Sequence, residues 1–367
     1  MPIEVESPEQ LGYDTIRNNL SESSYTDVVL RDLGDITAGL GELVLCYGSH
    51  MGHDGLRDWL VREDPRLVRE DVLLTIGAAG ALFIIATSLL EKEDELVVVR
   101  PNYATNIETP RAIGAQIRFI DLKWEDSFRL DMDAVRKAIT QRTKYISVTH
   151  PHNPTGACLT EAELKELIAL AESNDVRLLV DETYRDMVFG EKLPLAAGYS
   201  DRVISVSSLS KTYGLPGIRT GWIICKDAAL METFLAAKEQ IHICGSVLDE
   251  EVAFRYVQQK STFFPAIEKD IREKFGIVKE WMNGQDGFEW IEPQGGAVCC
   301  PRIKHPESVD MDRFYKILLE KYGTYVGPGH WFAMPRHYMR VGYGWPAKER
   351  LAEGLTALNK ALEDATR

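Results

Sequence analysis

From residue 70 onward the chain alternates short apolar runs with longer amphipathic stretches. The runs Asp71–Ile76, Glu95–Arg100, Gln116–Ile120, Tyr145–Thr149, Val176–Val180 and Val203–Ser207 are rich in β-branched residues and lack in–out alternation. That pattern predicts strands covered on both faces. Helical spacing marks Ala81–Leu90, Met132–Ile139 and Glu161–Ser173, the last opened by Thr160 with Glu163 three positions on, a capping box. Strands separated by helices predict an α/β layer around a mostly parallel sheet. After residue 245 the pattern changes to a long helical region over 248–283, a strand pair around Phe288–Val298 and a final helix over 347–364. This predicts a large α/β domain over 45–245 and a smaller α+β domain from 246–367. The first 45 residues show no strong alternation and are assigned to the smaller domain (1–44) or to a partner subunit.

At 367 residues the chain is long enough for two cores. A net charge of −14 without a basic block argues against nucleic acid or an anionic lipid surface as partner. The acidic start Met1-Pro2-Ile3-Glu4 does not resemble a secretory signal, and the apolar stretch Gly80–Leu90 is too short to span a bilayer. Cys46, Cys158, Cys225, Cys244, Cys299 and Cys300 show no metal-ligand spacing, so no metal is expected and packing is assigned to Cys299-Cys300. A soluble, cytoplasmic, reduced protein is expected.

In open α/β sheets ligands bind beyond the carboxyl ends of the strands, and the unusual polar residues fall there. Successive strands run into Gly77-Ala78-Ala79-Gly80, Pro101-Asn102-Tyr103, His150-Pro151-His152-Asn153-Pro154, Asp181-Glu182-Thr183-Tyr184 and Ser208-Leu209-Ser210-Lys211. Gly77–Gly80 opens a helix and presents backbone N–H groups to an anion. Arg219 adds a permanent charge with a planar fork. Asp181 follows an apolar run and needs a partner for its desolvated carboxylate, either a protonated ring nitrogen or the cap of a following turn. Tyr103 suits stacking on a flat ring or filling the rim, and Asn153 and Tyr184 suit hydrogen bonds to an oxyanion.

Lys211 draws these parts together. A lysine amine condenses with an aldehyde to give a Schiff base. Ser208 lies three positions before it and Arg219 eight after it, so a hydroxyl and a cation flank the amine at the reach of a phosphate. A surface lysine before a Gly-Pro turn is the bland alternative; the companion segments favour a site for a phosphorylated aldehyde.

Three segments carry a family resemblance: His152-Asn153-Pro154-Thr155-Gly156, Asp181-Glu182-Thr183-Tyr184, and Ser208-Leu209-Ser210-Lys211 continued by Gly217-Ile218-Arg219-Thr220-Gly221-Trp222. Supporting segments are Tyr47 with Leu56-Arg57, Pro293 with Gly295-Gly296, Pro328-Gly329-His330-Trp331-Phe332 and Met339-Arg340-Val341-Gly342. Collinear over about 40–345, they resemble the fold-type I pyridoxal-phosphate enzymes, specifically class I/II aminotransferases. The resemblance implies a seven-stranded central sheet with a smaller domain, pyridoxal 5′-phosphate as cofactor, a homodimer with shared sites, and transamination between an L-α-amino acid and a 2-oxo acid. It implies that Lys211 carries the cofactor and moves the Cα proton. Asp181 would pair with the ring nitrogen, while Tyr184 and Asn153 hold the ring oxygen and Tyr103 stacks on the ring. Ser208, Arg219 and the backbone of Ala78 and Ala79 would hold the phosphate, joined by Tyr47 of the neighbouring subunit. Arg340 would bind the substrate α-carboxylate, with Asn153 nearby.

The sequence departs from that pattern around the substrate. The phosphate turn lacks a hydroxyl, a loss of about 1.5–3 kcal/mol for each charged hydrogen bond. Asn106 stands where a second aromatic is common, and Asn19–Thr26 replaces a Gly-containing segment that covers the substrate. His50, His152 and His330 are candidates for substrate contact. The phrasing Tyr47-Gly48-Ser49-His50 and Ser210-Lys211-Thr212-Tyr213-Gly214 also resembles capreomycidine-synthase-like enzymes, which act on arginine-derived substrates. Elimination, cyclisation or oxidation of an amino acid is therefore the alternative reaction.

Overall fold

The computed structural model describes residues 6–366. Seven strands form one sheet in the spatial order Val72–Ile76, Thr220–Ile224, Val203–Ser208, Arg177–Asp181, Thr143–Thr149, Glu95–Arg100 and Gln116–Asp121. All run in one direction except Thr220–Ile224, antiparallel to both neighbours. The expected α/β layer with a mostly parallel seven-stranded sheet is therefore present.

Alternate residues along each strand feed two buried layers, as the two-residue period requires. Val97, Val99, Ile146, Val148, Leu178 and Val180 meet the helix Glu161–Ser173, whose capping box forms as expected. On the other face Leu96, Val98, Leu179, Ile204 and Ile223 meet the helices Gly77–Leu89 and Ala228–His242.

A second core surrounds a four-stranded sheet in the order Asn18–Leu20, Thr324–Pro328, Met339–Gly342, Val298–Cys299. Asn18–Leu20 pairs in parallel with Thr324–Pro328, which ties this stretch to the unit by a strand the sequence did not signal, whereas Leu33 and Ile36 are buried in a core of the large sheet. Lys348–Ala365 forms the expected last helix and packs there.

Two expectations change. The helical region 248–283 is two helices, Val247–Gln258 and Lys260–Asn283, separated at Gln259. The first buries Val252, Ala253, Tyr256 and Val257 in a core of the large sheet, while the second buries Ile267, Ile271 and Val278 in the small core. One straight helix could not serve both cores. The strands near 288 and 298 do not pair with each other. Phe288–Glu289 pairs with Arg302–Ile303, and Val298–Cys299 with Met339–Gly342. The intervening loop is drawn away to the main site, where Gln294 N donates to Gly156 O at 2.8 Å and Gly295 bridges Val188.

Candidate active site

Five parallel strands end on one rim, and the first of them runs directly into a helix. Ile76 precedes Gly77–Leu89 and offers no side-chain cap to its N–H groups. Gly77 adopts φ 66°, a left-handed conformation that favours glycine, and its N–H donates to Arg219 O at 2.7 Å. Arg219, itself left-handed at φ 47°, lays its guanidinium against Gly77 and donates from Nη1 to Pro216 O at 2.9 Å and Ser210 Oγ at 3.4 Å. Gly221 packs so closely on the Gly77–Ala78 backbone that a side chain would collide, and it stands opposite Ser208 across the ladder. Ala78, Ala79, Ser208 and Arg219 thus meet around one uncapped helix end. Ser210, buried beside them, was not anticipated; the repeat of serine at 208 and 210 was its signal.

On the neighbouring strand Asp181 is buried, and burial pushes its carboxyl up despite hydrogen bonds from Thr183. Oδ1 accepts both of these, from Thr183 N at 3.0 Å and Oγ1 at 2.6 Å, which leaves Oδ2 for another donor. The Tyr184 phenol, also buried, is pushed up to about 12 by desolvation and shares a hydrogen bond with Ser23. Arg340, Asp181 and Tyr103 all act on that phenol, so the four groups lie around one space. Tyr103 stands at the rim, 42% exposed, anchored where its N–H donates to Asn102 Oδ1 at 2.7 Å. Asn106 donates to the same oxygen at 2.9 Å, so this residue braces Tyr103 from below.

Arg340 donates from Nη2 to Ser21 O at 2.6 Å and from Nη1 to Asn153 Oδ1 at 3.3 Å. The second bond turns the Asn153 amide so that its NH2 is the free end. The Arg340 guanidinium also lies over Phe332, 5.0 Å from the ring centre. It stands on the strand Met339–Gly342 and acts electrostatically on Lys211.

Lys211 is desolvated, and its amine is held below the ordinary lysine range chiefly by that burial. Glu22 opposes the shift, while Arg340 and Arg219 add to it. No hydrogen bond or ion pair engages the amine among the described residues. Burial and two neighbouring cations disfavour the charged form of this unpaired amine, which suits it to act as a nucleophile and base.

The segment Asn19–Thr26, which stands where the resemblance has a substrate-covering segment, is tied to three of these residues. Ser21 holds Arg340, Ser23 holds Tyr184, and Tyr25 N donates to Lys211 O at 2.8 Å.

The three candidate histidines are each engaged by protein groups. His152 is buried with Nε2 bonded to Pro101 O and Nδ1 to Thr155 Oγ1, each at 2.8 Å, so both nitrogens serve the loop and neither is left for a substrate. His50 pairs with Glu239 at 2.5 Å, and His330 with Glu6 at 2.6 Å. Tyr47 is 79% exposed on a loop with Val44 and Leu45, and no hydrogen bond or ring contact ties it to the cluster.

Residues 47–358 match the family model for aminotransferase class I and II. The chain belongs to that family. Among class I/II relatives it is 31% identical over 363 residues to a capreomycidine synthase of Streptomyces vinaceus, covering 95% of this chain and 91% of that protein. It superposes on a pyridoxal-phosphate-dependent aminotransferase from Streptococcus suis with a TM-score of 0.92 at 26% identity, covering 100% and 99% of the two chains. It superposes on a pyridoxal-phosphate-dependent cyclase, OrfR, with a TM-score of 0.88 at 26% identity, covering 99% and 97%.

The cofactor of this aminotransferase-family chain is pyridoxal 5′-phosphate. The residues fit it: an uncapped helix end beside Arg219 suits the phosphate, the spare Asp181 Oδ2 suits a ring N–H, and Lys211 offers an unpaired amine. Among the described residues no helix is long and apolar enough to cross a membrane, and no group of metal-ligating side chains is present.

Proposed function

We propose that the protein is an aminotransferase that passes the amino group of an L-α-amino acid to a 2-oxo acid. The observation that carries this reading is the desolvated, unpaired Lys211 amine within the electrostatic reach of Arg340, which also acts with Asp181 on the Tyr184 phenol. Pyridoxal phosphate, when bound, supplies an electron sink for negative charge at the substrate Cα. Asp181 keeps a charge partner for the ring nitrogen, and the Tyr184 phenol and the Asn153 NH2 donate to the ring oxygen. Ser208, Ser210, Arg219 and the N–H groups of Ala78 and Ala79 hold the phosphate, and Tyr103 covers the ring. Arg340 grips the α-carboxylate as a bidentate fork and so orients the Cα–H bond. Lys211 Nζ then stands beside the proton it takes and returns.

A second reading, cyclisation, elimination or oxidation of an amino acid on the same residues, draws support from the 31% identity to capreomycidine synthase over 95% of the chain. An acceptor assay separates the two: transamination forms a new amino acid from pyruvate or 2-oxoglutarate as each donor is consumed. Donor consumption without that product favours the second reading.

We further propose a homodimer in which Tyr47 reaches the partner's phosphate site, a reading supported by the exposure of Val44, Leu45 and Tyr47 on one loop. Sedimentation at 41.4 kDa for the cofactor-loaded protein would contradict it. We take the large domain to extend through Gln259, since Val247–Gln258 packs on the large sheet; limited proteolysis within 246–258 ahead of 259–262 would oppose that. A cytoplasmic location is supported by six unpaired cysteines and is tested by fractionation.

A further inference from the structure

The segment Asn19–Thr26 also carries one carboxylate into the site. Glu22 lies between Ser21, whose carbonyl holds Arg340, and Ser23, which holds Tyr184. The fit is close: a side chain at Gly342 would overlap the Glu22 carbonyl, and one at Gly344 would stand 2.6 Å from Ser24 O. Both glycines therefore let this segment lie flush on the strand that bears Arg340, so Glu22 has a fixed backbone position.

The Glu22 side chain is half-buried, and Oε1 accepts from Tyr13 Oη at 3.2 Å. The Tyr13 ring stacks on Trp345, centre to centre 6.1 Å, and Trp345 Nε1 donates to Asp27 at 2.9 Å. A stacked aromatic pair thus adjoins the carboxylate through the Tyr13 hydroxyl. Among the described residues Glu22 makes no ion pair, and the cations that act on it are Lys211 and Arg340.

Both of those cations have other work. On the reading given above, Lys211 is taken up by the cofactor and must be neutral when it accepts a proton, while Arg340 is matched by the α-carboxylate. Burial already pushes the Glu22 carboxyl up, and without a counter-charge its ionised form costs free energy. A substrate side chain that ends in a positive charge restores the balance. Its aliphatic stem also suits the neighbouring aromatic pair of Tyr13 and Trp345.

We propose that Glu22 is the specificity-determining residue of the site and selects amino acids whose side chain ends in a cation, a guanidinium or an ammonium. The inference rests on the amino-acid-binding reading of Arg340 and Lys211. It is independent of whether the reaction is transamination or cyclisation.

The test compares near-isosteric pairs, L-arginine with L-citrulline and L-lysine with L-norleucine, on the cofactor-loaded protein. Calorimetric binding and kcat/KM are both read, in wild type, Glu22→Gln and Glu22→Asp. A charge-assisted contact predicts that wild type favours the cationic member of at least one pair by about 10- to 100-fold. The pair that responds tells guanidinium from ammonium. Glu22→Gln abolishes the preference and Glu22→Asp retains part of it, with cofactor absorbance reporting that each variant is folded. Equal binding of both members in wild type, or a preference unchanged in Glu22→Gln, overturns the proposal. If arginine binds in a Glu22-dependent way but no acceptor is aminated, selectivity stands and the transamination reading fails. If acceptors are aminated with no preference for charge, the reverse holds.

Discussion

The guanidinium of Arg219 occupies the space that a side chain at Gly77 would need, with Nη2 2.6 Å from where a Cβ would stand. The pairing places a fixed charge at the open end of a helix that has no side-chain cap. Gly77→Ala would displace the guanidinium and force alanine into φ 66°. Arg219→Lys would lose the fork while keeping the charge. Each is expected to weaken cofactor binding by about 10- to 100-fold, the worth of one charged hydrogen bond. Equilibrium dialysis of the cofactor measures it, and an unchanged Kd in both variants would remove the phosphate assignment.

Lys211 should be the attachment point of the cofactor. Borohydride reduction of the loaded protein followed by peptide mapping is expected to label Lys211, and Lys211→Ala should fold but take no label. A label on any other lysine contradicts the assignment.

Arg340→Ala is expected to weaken binding of α-amino acids by about 10- to 100-fold while the cofactor stays bound. Because Arg340 also orients Asn153, a smaller change in the cofactor spectrum should accompany it. Primary amines without a carboxylate serving the wild type as well as amino acids do would show that Arg340 has another role.

Acid should destabilise the fold through two buried imidazoles. Desolvation pushes His150 and His152 down to about 4, so both stay neutral in the folded chain while unfolded histidine takes up a proton near pH 6.5. The unfolded state binds more protons between those values, so stability is full above pH 6.5 and falls as pH drops towards 4. The loss is of order 3 kcal/mol per imidazole. Urea unfolding at pH 7 and pH 5 should show the decline, and a shallower one in His152→Gln; equal slopes would refute the contribution of His152.

Much of this arrangement was legible in the sequence because strand ends are marked by chemistry as well as by pattern. Asp181, Ser208 and the Gly77–Gly80 turn each end an apolar run, and a parallel sheet brings such ends to one rim. Thr220–Ile224 escaped notice because Thr220-Gly221 opens it, and glycine is there for the backbone of Gly77 rather than for strand propensity. The segment Asn19–Thr26 was legible in position from the resemblance, but its strand and its contacts were not. It has a strand of only three residues, and its contacts to Arg340, Tyr184 and Lys211 span hundreds of positions. His152 looked like a substrate ligand beside Asn153, whereas its two hydrogen bonds belong to the loop.

A transamination half-reaction at Lys211 would be read in the cofactor absorbance during incubation with single L-amino acids and no acceptor. Transamination predicts one conversion of the bound cofactor to its amine form per site, with one equivalent of 2-oxo acid released and no further consumption. Continued consumption of the amino acid over many turnovers, with the cofactor spectrum restored, would contradict transamination.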